Sequence, residues 1–239
     1  MTRRNSTWGR AAGAPKGRDG AVEAIRALMV AKRSARNERT QANGQARALI
    51  LTGPDELRAR FAGHRAAALA AGIAALRPRP GDAAEYAVRV ALRELGRRVE
   101  FPGAQIGRLD DLIVPLVTVR APGLLSLYGV GPDTAALLLI AAGDRPGRLR
   151  SEAAWAHMCG VAPIPASPGK TRRHRLNRGG NREANHALWR IVTTRMSAHP
   201  ATRAYVERRT KEGLPEKDII RCLKRYVARE VYHQLRAGA

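Results

Sequence analysis

The sequence predicts an all-α fold: a long helical and coiled-coil spacer followed by a helical domain containing a helix-hairpin-helix. Three observations predict it. Alanine and leucine dominate an apolar content of 44 %, and runs of β-branched residues are short, a composition that favours helices over strands. Through the middle of the chain aliphatic residues recur at spacings of three and four, the period of a buried helix face. Clusters of Gly, Pro and Asp punctuate segments of helical rather than strand length. No convincing strand pair and no internal repeat stands out. At 239 residues the chain is long enough for one or two domains with cores, divided as 1–18, 19–119 and 120–239.

Residues 1–18 read as a basic, Gly/Ala-rich disordered arm, without the apolar centre of a secretory signal. From Asp19 a helix is expected, with Val22, Ile25, Leu28 and Met29 on one face. Arg26, Lys32, Arg33, Arg36 and Arg39 load the rest with positive charge, which suits either a solvated face or a second nucleic-acid surface. Thr52-Gly53-Pro54-Asp55 ends that helix and begins another, expected to run to Pro78. Asp82 is placed to cap the next. There Leu92, Leu95, Val99, Ile106, Leu109, Ile113 and Leu116 form a coiled-coil-like seam, interrupted by Pro102-Gly103. A proline inside a helix removes a hydrogen bond and clashes with the preceding turn. The helix, which would otherwise span roughly 50 Å, is therefore expected to kink or split there. Residues 83–119 suit a spacer, a seam for a homo-oligomer, or two shorter helices of a bundle.

After Pro122 a helix, a Gly129-Val130-Gly131 turn and a second helix opening on Pro132 are expected. Such a turn aims amide groups at a DNA phosphate in a helix-hairpin-helix, or simply joins an αα-hairpin. Ser151 caps a short helix that Gly160 ends, and three more helices begin near Arg182, Thr202 and Glu216.

Charge narrows the function. The 43 Lys and Arg residues exceed the 20 Asp and Glu residues to give a net +23, which calls for a polyanionic partner. DNA or RNA fits better than a membrane surface, because the aromatics that anchor interfacial helices amount to only 4 %. The most apolar stretch, residues 124–143, is interrupted by Gly, Pro and Asp, so no transmembrane span is read. Cys159 and Cys222 have no CxxC partner and read as idle thiols of a reducing cytosol. The six histidines show no ligand spacing, so no metal and no cofactor is assigned to this chain. The expected location is cytoplasmic, on the nucleoid.

The stretch ASPGKTRRHRLNRGGNREAN, residues 166–185, concentrates the charge. SPGKT imitates the end of a phosphate-binding loop, but Ile164 stands where its first glycine would be. A second reading has Lys170, Arg172, Arg173, Arg175, Arg178 and Arg182 each neutralise a backbone phosphate, with Gly179 and Gly180 allowing close approach. A third has the guanidinium groups hold the charge that develops when Ser167 attacks a phosphodiester. A serine hydroxyl needs an environment that helps remove its proton.

The strings GVGPDTAALLLIAAGD, EAAWAHMCGVAPIPAS, RHRLNRGGNREANHAL and RCLKRYVAREVY resemble the C-terminal half of the insertion sequence 110 family of transposases. The resemblance is close from about Ala121 to the end and looser back to about Lys16. It implies DNA transposition through a covalent phosphoserine–DNA linkage, guided by a structured RNA of the mobile element. It also implies a resolvase-like N-terminal domain whose Asp/Glu tetrad binds a divalent metal, then a coiled coil, then a serine-bearing helical domain. Carried over, Ser167 sits in the serine-bearing loop and residues 83–119 form the spacer. Two departures stand out. Family members commonly have Ser-Ser-Gly where this chain has Ser167-Pro168-Gly169, so Pro168 occupies the serine position next to the glycine. The 20 carboxylates fall on helical segments, so the acidic domain is expected to be absent and magnesium to be required only with it. The expectation is a truncated transposase that binds DNA without cutting it. The alternative is a non-catalytic nucleic-acid-binding remnant.

Overall fold

The computed structural model describes residues 20–144, 149–165, 174–175, 177 and 179–237. The fold is all-α, and the described residues form two compact units. One is Ala27–Val114; the other is Pro115–Ala239 together with the first turn of the leading helix up to Arg26.

In the unit 27–114, two long helices carry the core: α1 (Ala21–Thr52) and α4 (Ala83–Arg120). Along α1 the buried positions include Met29, Lys32, Ala35, Ala42, Ala46 and Ile50, three or four apart except for one skipped turn. Along α4 they include Leu92, Val99, Ile106 and Ile113. Ala42 shares a cluster with Val99, Ala46 and Ile50 share one with Leu92, and Lys32 bonds Asp110. Later positions of α1 thus meet earlier positions of α4, so the two run antiparallel. The predicted seam has a partner within its own chain, and Ala42 and Ala46 supply the α1 side of it.

Four expectations change here. Helix α4 continues unbroken through Pro102, whose side chain is buried. The proline costs one backbone hydrogen bond, but a long helix in a folded protein is held mainly by its packed face, and Pro102 adds apolar surface to it. The single helix expected over 55–78 is two: α2 (Asp55–Phe61) and α3 (Ala66–Ala74). Between them Gly63 takes φ +70°, which no helix interior accommodates. The break folds Leu57 and Phe61 together with Leu69, Ile73 and Leu76 onto Ile50 and Leu92. Lys32 lies in the seam, not on the charged face; its side chain is 3 % exposed and paired with Asp110. Finally, a two-residue antiparallel strand pair exists, described below.

The unit 115–239 is built around α8 (Arg182–Ala198), which packs against α6 (Pro132–Ala142), α9 (Pro200–Lys211) and α10 (Glu216–Ala237). Helix α6 is buried almost throughout, which is why its sequence is apolar all round. The short α5 (Pro122–Leu125) and α7 (Glu152–Met158) close the sides against α10. Leu138, Trp155, Leu188, Ile191, Ile219 and Val231 form the centre of the core. Asp144 caps α1 by accepting the Val22 N–H at 3.1 Å.

Candidate nucleic-acid interface

Ser167, Lys170, Arg172, Arg173 and Arg178 lie outside the described residues, as does the side chain of Arg175. What the structure describes is the frame around them. Strand β1 (Ile164–Pro165) pairs antiparallel with β2 (His174–Arg175), Ile164 opposite Arg175 and Pro165 opposite His174. The two ends of the segment 166–173 therefore meet at one small ladder.

The far side of the cationic stretch is fastened by three asparagines, four residues apart. Asn177 accepts the Gly179 N–H at 3.0 Å and donates to the His157 carbonyl at 3.3 Å. Asn181 donates its backbone N–H to the Met158 carbonyl at 2.6 Å, and its side chain caps α8 by accepting from Glu183 and Ala184, each at 3.0 Å. Asn185 donates to the Cys159 carbonyl at 2.8 Å and accepts from Lys224 Nζ at 3.0 Å. Burial, and secondarily Arg221, holds the Lys224 ammonium below the usual lysine range. The distant partners among these, His157, Met158, Cys159 and Lys224, are on α7, just beyond its end, or on α10.

The glycines take part in that fastening. Gly160 ends α7 at φ +67°. A Cβ on Gly180 would stand 2.3 Å from the Gly160 nitrogen and 2.4 Å from its Cα, so Gly180 admits no side chain. Sequence reasoning assigned Gly180 to phosphate approach; the structure uses it for contact between two backbone segments. Gly179 is exposed, and among the described residues a Cβ there would meet only Asn177 Oδ1, at 3.6 Å, which leaves it open to a ligand.

Helix α8 carries the exposed continuation of the stretch. Arg182, His186 and Trp189 are four and three residues apart, hence on one face, and all three are exposed. His186 and Trp189 stack with centroids 5.8 Å apart and planes at 23°, and Trp189 is 44 % exposed. A cation in a helix's first turn opposes the macrodipole, so Arg182 gains nothing there from the helix itself. Sequence reasoning found Arg182 but missed Trp189. The available signal was a large aromatic, in a chain with few, on the polar side of an amphipathic pattern.

The turn between α5 and α6 is committed inward. Gly129 takes φ +79°, and a Cβ there would lie 3.3 Å from the Ile191 carbonyl oxygen of α8. The Gly131 N–H donates to Thr134 Oγ1 at 3.0 Å, and Val130 N–H donates to the Leu127 carbonyl at 3.1 Å. Arg195 anchors the turn: Nε donates to the Tyr128 carbonyl at 2.8 Å, while Nη1 and Nη2 reach the two oxygens of Glu230 at 3.1 and 2.8 Å. Its partners are 67 and 35 residues away, and nothing in the local sequence announces it.

Glu152 pairs with Arg225 at 2.5 Å and Arg229 at 3.0 Å; Arg225 first, then Arg229, holds its carboxyl below the usual range. Cys159 and Cys222 are free thiols, and burial pushes Cys159 up to about 12. Among the described residues no group of three or more His, Cys, Asp or Glu gathers as metal ligands. No described helix is long and apolar enough to cross a membrane.

Residues 121–207 match the family described as "Transposase IS116/IS110/IS902 family". Over 119 residues the chain is 33 % identical to the "Insertion element IS110 uncharacterized 43.6 kDa protein" of Streptomyces coelicolor (strain ATCC BAA-471 / A3(2) / M145). That match covers 49 % of this chain and 29 % of the relative, so the chain spans well under half of that protein's length. The family match takes in α5 to α8, most of α9, the strand pair, the asparagine clamp and the cationic stretch between them. Residues 121–207 are therefore a transposase domain of the IS116/IS110/IS902 family.

Proposed function

We propose that this chain acts in transposition of an insertion element as a nucleic-acid-binding part of its transposase, gripping DNA with residues 166–182 and the outward face of α8. The observation that supports this reading best is the frame: a segment holding five of the stretch's cations, together with Gly179, is fastened at both ends to a rigid helical core. Such fastening lowers the entropy cost of presenting several cations to phosphates. Arg182, His186 and Trp189 extend the cationic run with a stacking surface for bases or sugars. Ser167 is the candidate oxygen for attack on a phosphodiester, and the arginines near it in sequence are the candidates to hold the developing charge. A structured RNA of the element is a second candidate partner for the same surface.

The test is binding of labelled duplex DNA by the purified chain over a range of salt. Wild-type affinity is expected to fall steeply with salt. The Arg173→Ala, Arg175→Ala pair is expected to lower the log–log slope by about 1.8, at about 0.9 per phosphate contact. Ser167→Ala is expected to leave binding unchanged and, when an acidic family domain is supplied separately, to abolish covalent DNA capture. An unchanged slope in the arginine pair overturns the assignment of the interface. Metal-dependent nicking by the chain alone overturns the expectation that it binds without cutting.

A further inference from the structure

The unit 27–114 holds a cavity of about 550 Å³ between α2, the α3–α4 connection and the first turns of α4. Its volume is that of a ligand pocket, and its walls are cationic. Four guanidinium groups line it: Arg60, Arg77, Arg79 and Arg89. Among the described residues only Arg89 is paired with carboxylates, Glu85 at 2.7 Å and Glu56 at 2.7 Å. That pairing occupies Glu85, and Asp82 is occupied in capping α4 by accepting the Glu85 N–H at 2.9 Å. Both carboxylates lining the cavity therefore already have a hydrogen-bond partner, and neither pairs with Arg60, Arg77 or Arg79 among the described residues. Arg60, Arg77 and Arg79 are exposed and have no carboxylate partner among the described residues. Arg60 lies instead over the Phe61 ring at 5.3 Å.

Like charges around one cavity repel unless an anion sits among them. The backbone maintains this arrangement: Arg77 and Arg79 each precede a proline, Pro78 and Pro80, which restricts both to extended conformations and reduces the entropy lost on binding. Tyr86 adds a 43 % exposed aromatic to the same wall. Three guanidinium groups without a carboxylate partner among the described residues, beside one exposed ring, suit a phosphodiester carrying an unstacked base: the forks take phosphate oxygens and the ring takes the base face.

We propose that this cavity is a second nucleic-acid site, distinct from the transposase domain, which holds an unpaired strand by phosphates on Arg60, Arg77 and Arg79 and a base on Tyr86. The proposal rests on the reading that the chain binds nucleic acid. A free nucleotide offers the same phosphate chemistry, and the experiment separates the two.

The experiment measures anisotropy of a fluorescein-labelled single-stranded 20-mer and of its duplex with the full chain, at several salt concentrations. Compared are wild type, Arg77→Ala/Arg79→Ala, Arg77→Lys/Arg79→Lys and Tyr86→Ala. The alanine pair is expected to lower the single-strand slope by about 1.4, at about 0.7 per phosphate, with a smaller change on the duplex. The lysine pair is expected to restore the slope. Tyr86→Ala is expected to weaken the single strand on the order of 5- to 100-fold and leave its slope unchanged. Single-strand binding that is unaltered in the alanine pair overturns the site while leaving the transposase-domain interface standing. An equal loss of slope on the duplex overturns the assignment to an unpaired strand. Displacement of the strand by millimolar adenosine monophosphate, lost in the alanine pair, overturns it in favour of a free nucleotide. Failure of wild type to bind either nucleic acid removes the functional reading itself.

Discussion

Glu230→Gln is expected to destabilise the unit 115–239 more than Arg195→Met, although the two residues form one ion pair. The burial of the partners is unequal: the Arg195 side chain is 9 % exposed and that of Glu230 is 43 % exposed. Removing the arginine leaves a carboxylate that water can reach, so the pair itself is worth about 0.5 kcal/mol there. The lost bond from Nε to the Tyr128 carbonyl adds about 1.5 kcal/mol. The total for Arg195→Met is about 2 kcal/mol. Glu230→Gln instead strands a guanidinium that is nine-tenths buried, and its amide N–H₂ is a donor facing donors. Breaking a buried pair costs 3–5 kcal/mol; with one partner half exposed, the low end, about 3 kcal/mol, applies. The double variant removes the stranded charge and should return to about 2 kcal/mol, more stable than Glu230→Gln alone. Urea unfolding followed by tryptophan emission measures this, because Trp8, Trp155 and Trp189 all lie outside 27–114 in the sequence. A milder Glu230→Gln, or a double variant no more stable than it, refutes the argument from unequal burial.

Four further outcomes are expected. Gly180→Ala places a Cβ against the Gly160 backbone and should cost about 1–3 kcal/mol; Gly179→Ala, with only a 3.6 Å neighbour, should cost less than about 0.5 kcal/mol by the same urea titration. Because the Glu152 carboxyl is held below its usual 4.5 by Arg225 and then Arg229, the unfolded chain takes up that proton first as pH falls. Its contribution is complete above pH 4.5 and is lost as pH drops through the lower folded value, so Glu152→Gln should flatten the acid limb of a Tm-against-pH curve. With its thiol buried and pushed up to about 12, Cys159 should resist iodoacetamide at pH 8 while the half-buried Cys222 reacts, as read by peptide mass; equal labelling contradicts the packing of α7. Trp189, exposed and stacked on His186, should lose emission on addition of single-stranded oligonucleotide, and Trp189→Phe should remove that change; an unquenched Trp189 removes the α8 face from the interface.

Local signals were legible in the sequence. Asp82 and Ser151 cap the helices they precede, and Gly160 ends α7; each depends on a few neighbouring residues and a short-range hydrogen bond or dihedral. What the sequence hid is nonlocal. Pro102 reads as a helix breaker in its own window, and only the buried face of a 38-residue helix outweighs it. Lys32 reads as one more surface cation until Asp110, 78 residues on, meets it. Gly180 looks like a glycine waiting for a phosphate because its steric partner is twenty residues earlier. The same holds for the candidate site: the charge of residues 166–182 is plain from composition, while its asparagine clamp is a set of side-chain-to-carbonyl bonds between distant segments. Gly63 is a local signal that the expectation of one helix to Pro78 did not use; its φ of +70° parts α2 from α3.

The pair of Lys32 and Asp110 has a consequence for divergence among chains that share this helix pair. One half of it is 3 % exposed, the other 40 %. Losing Asp110 strands a buried ammonium, whereas losing Lys32 frees a carboxylate that still reaches water. Substitution at these two positions is therefore expected to be ordered. Position 32 turns apolar first, position 110 drifts afterwards, and the reverse order passes through a poorly folding intermediate. Among relatives that share this helix pair, an acidic residue at 110 facing an aliphatic one at 32 should be common, and an unpaired lysine at 32 should be rare.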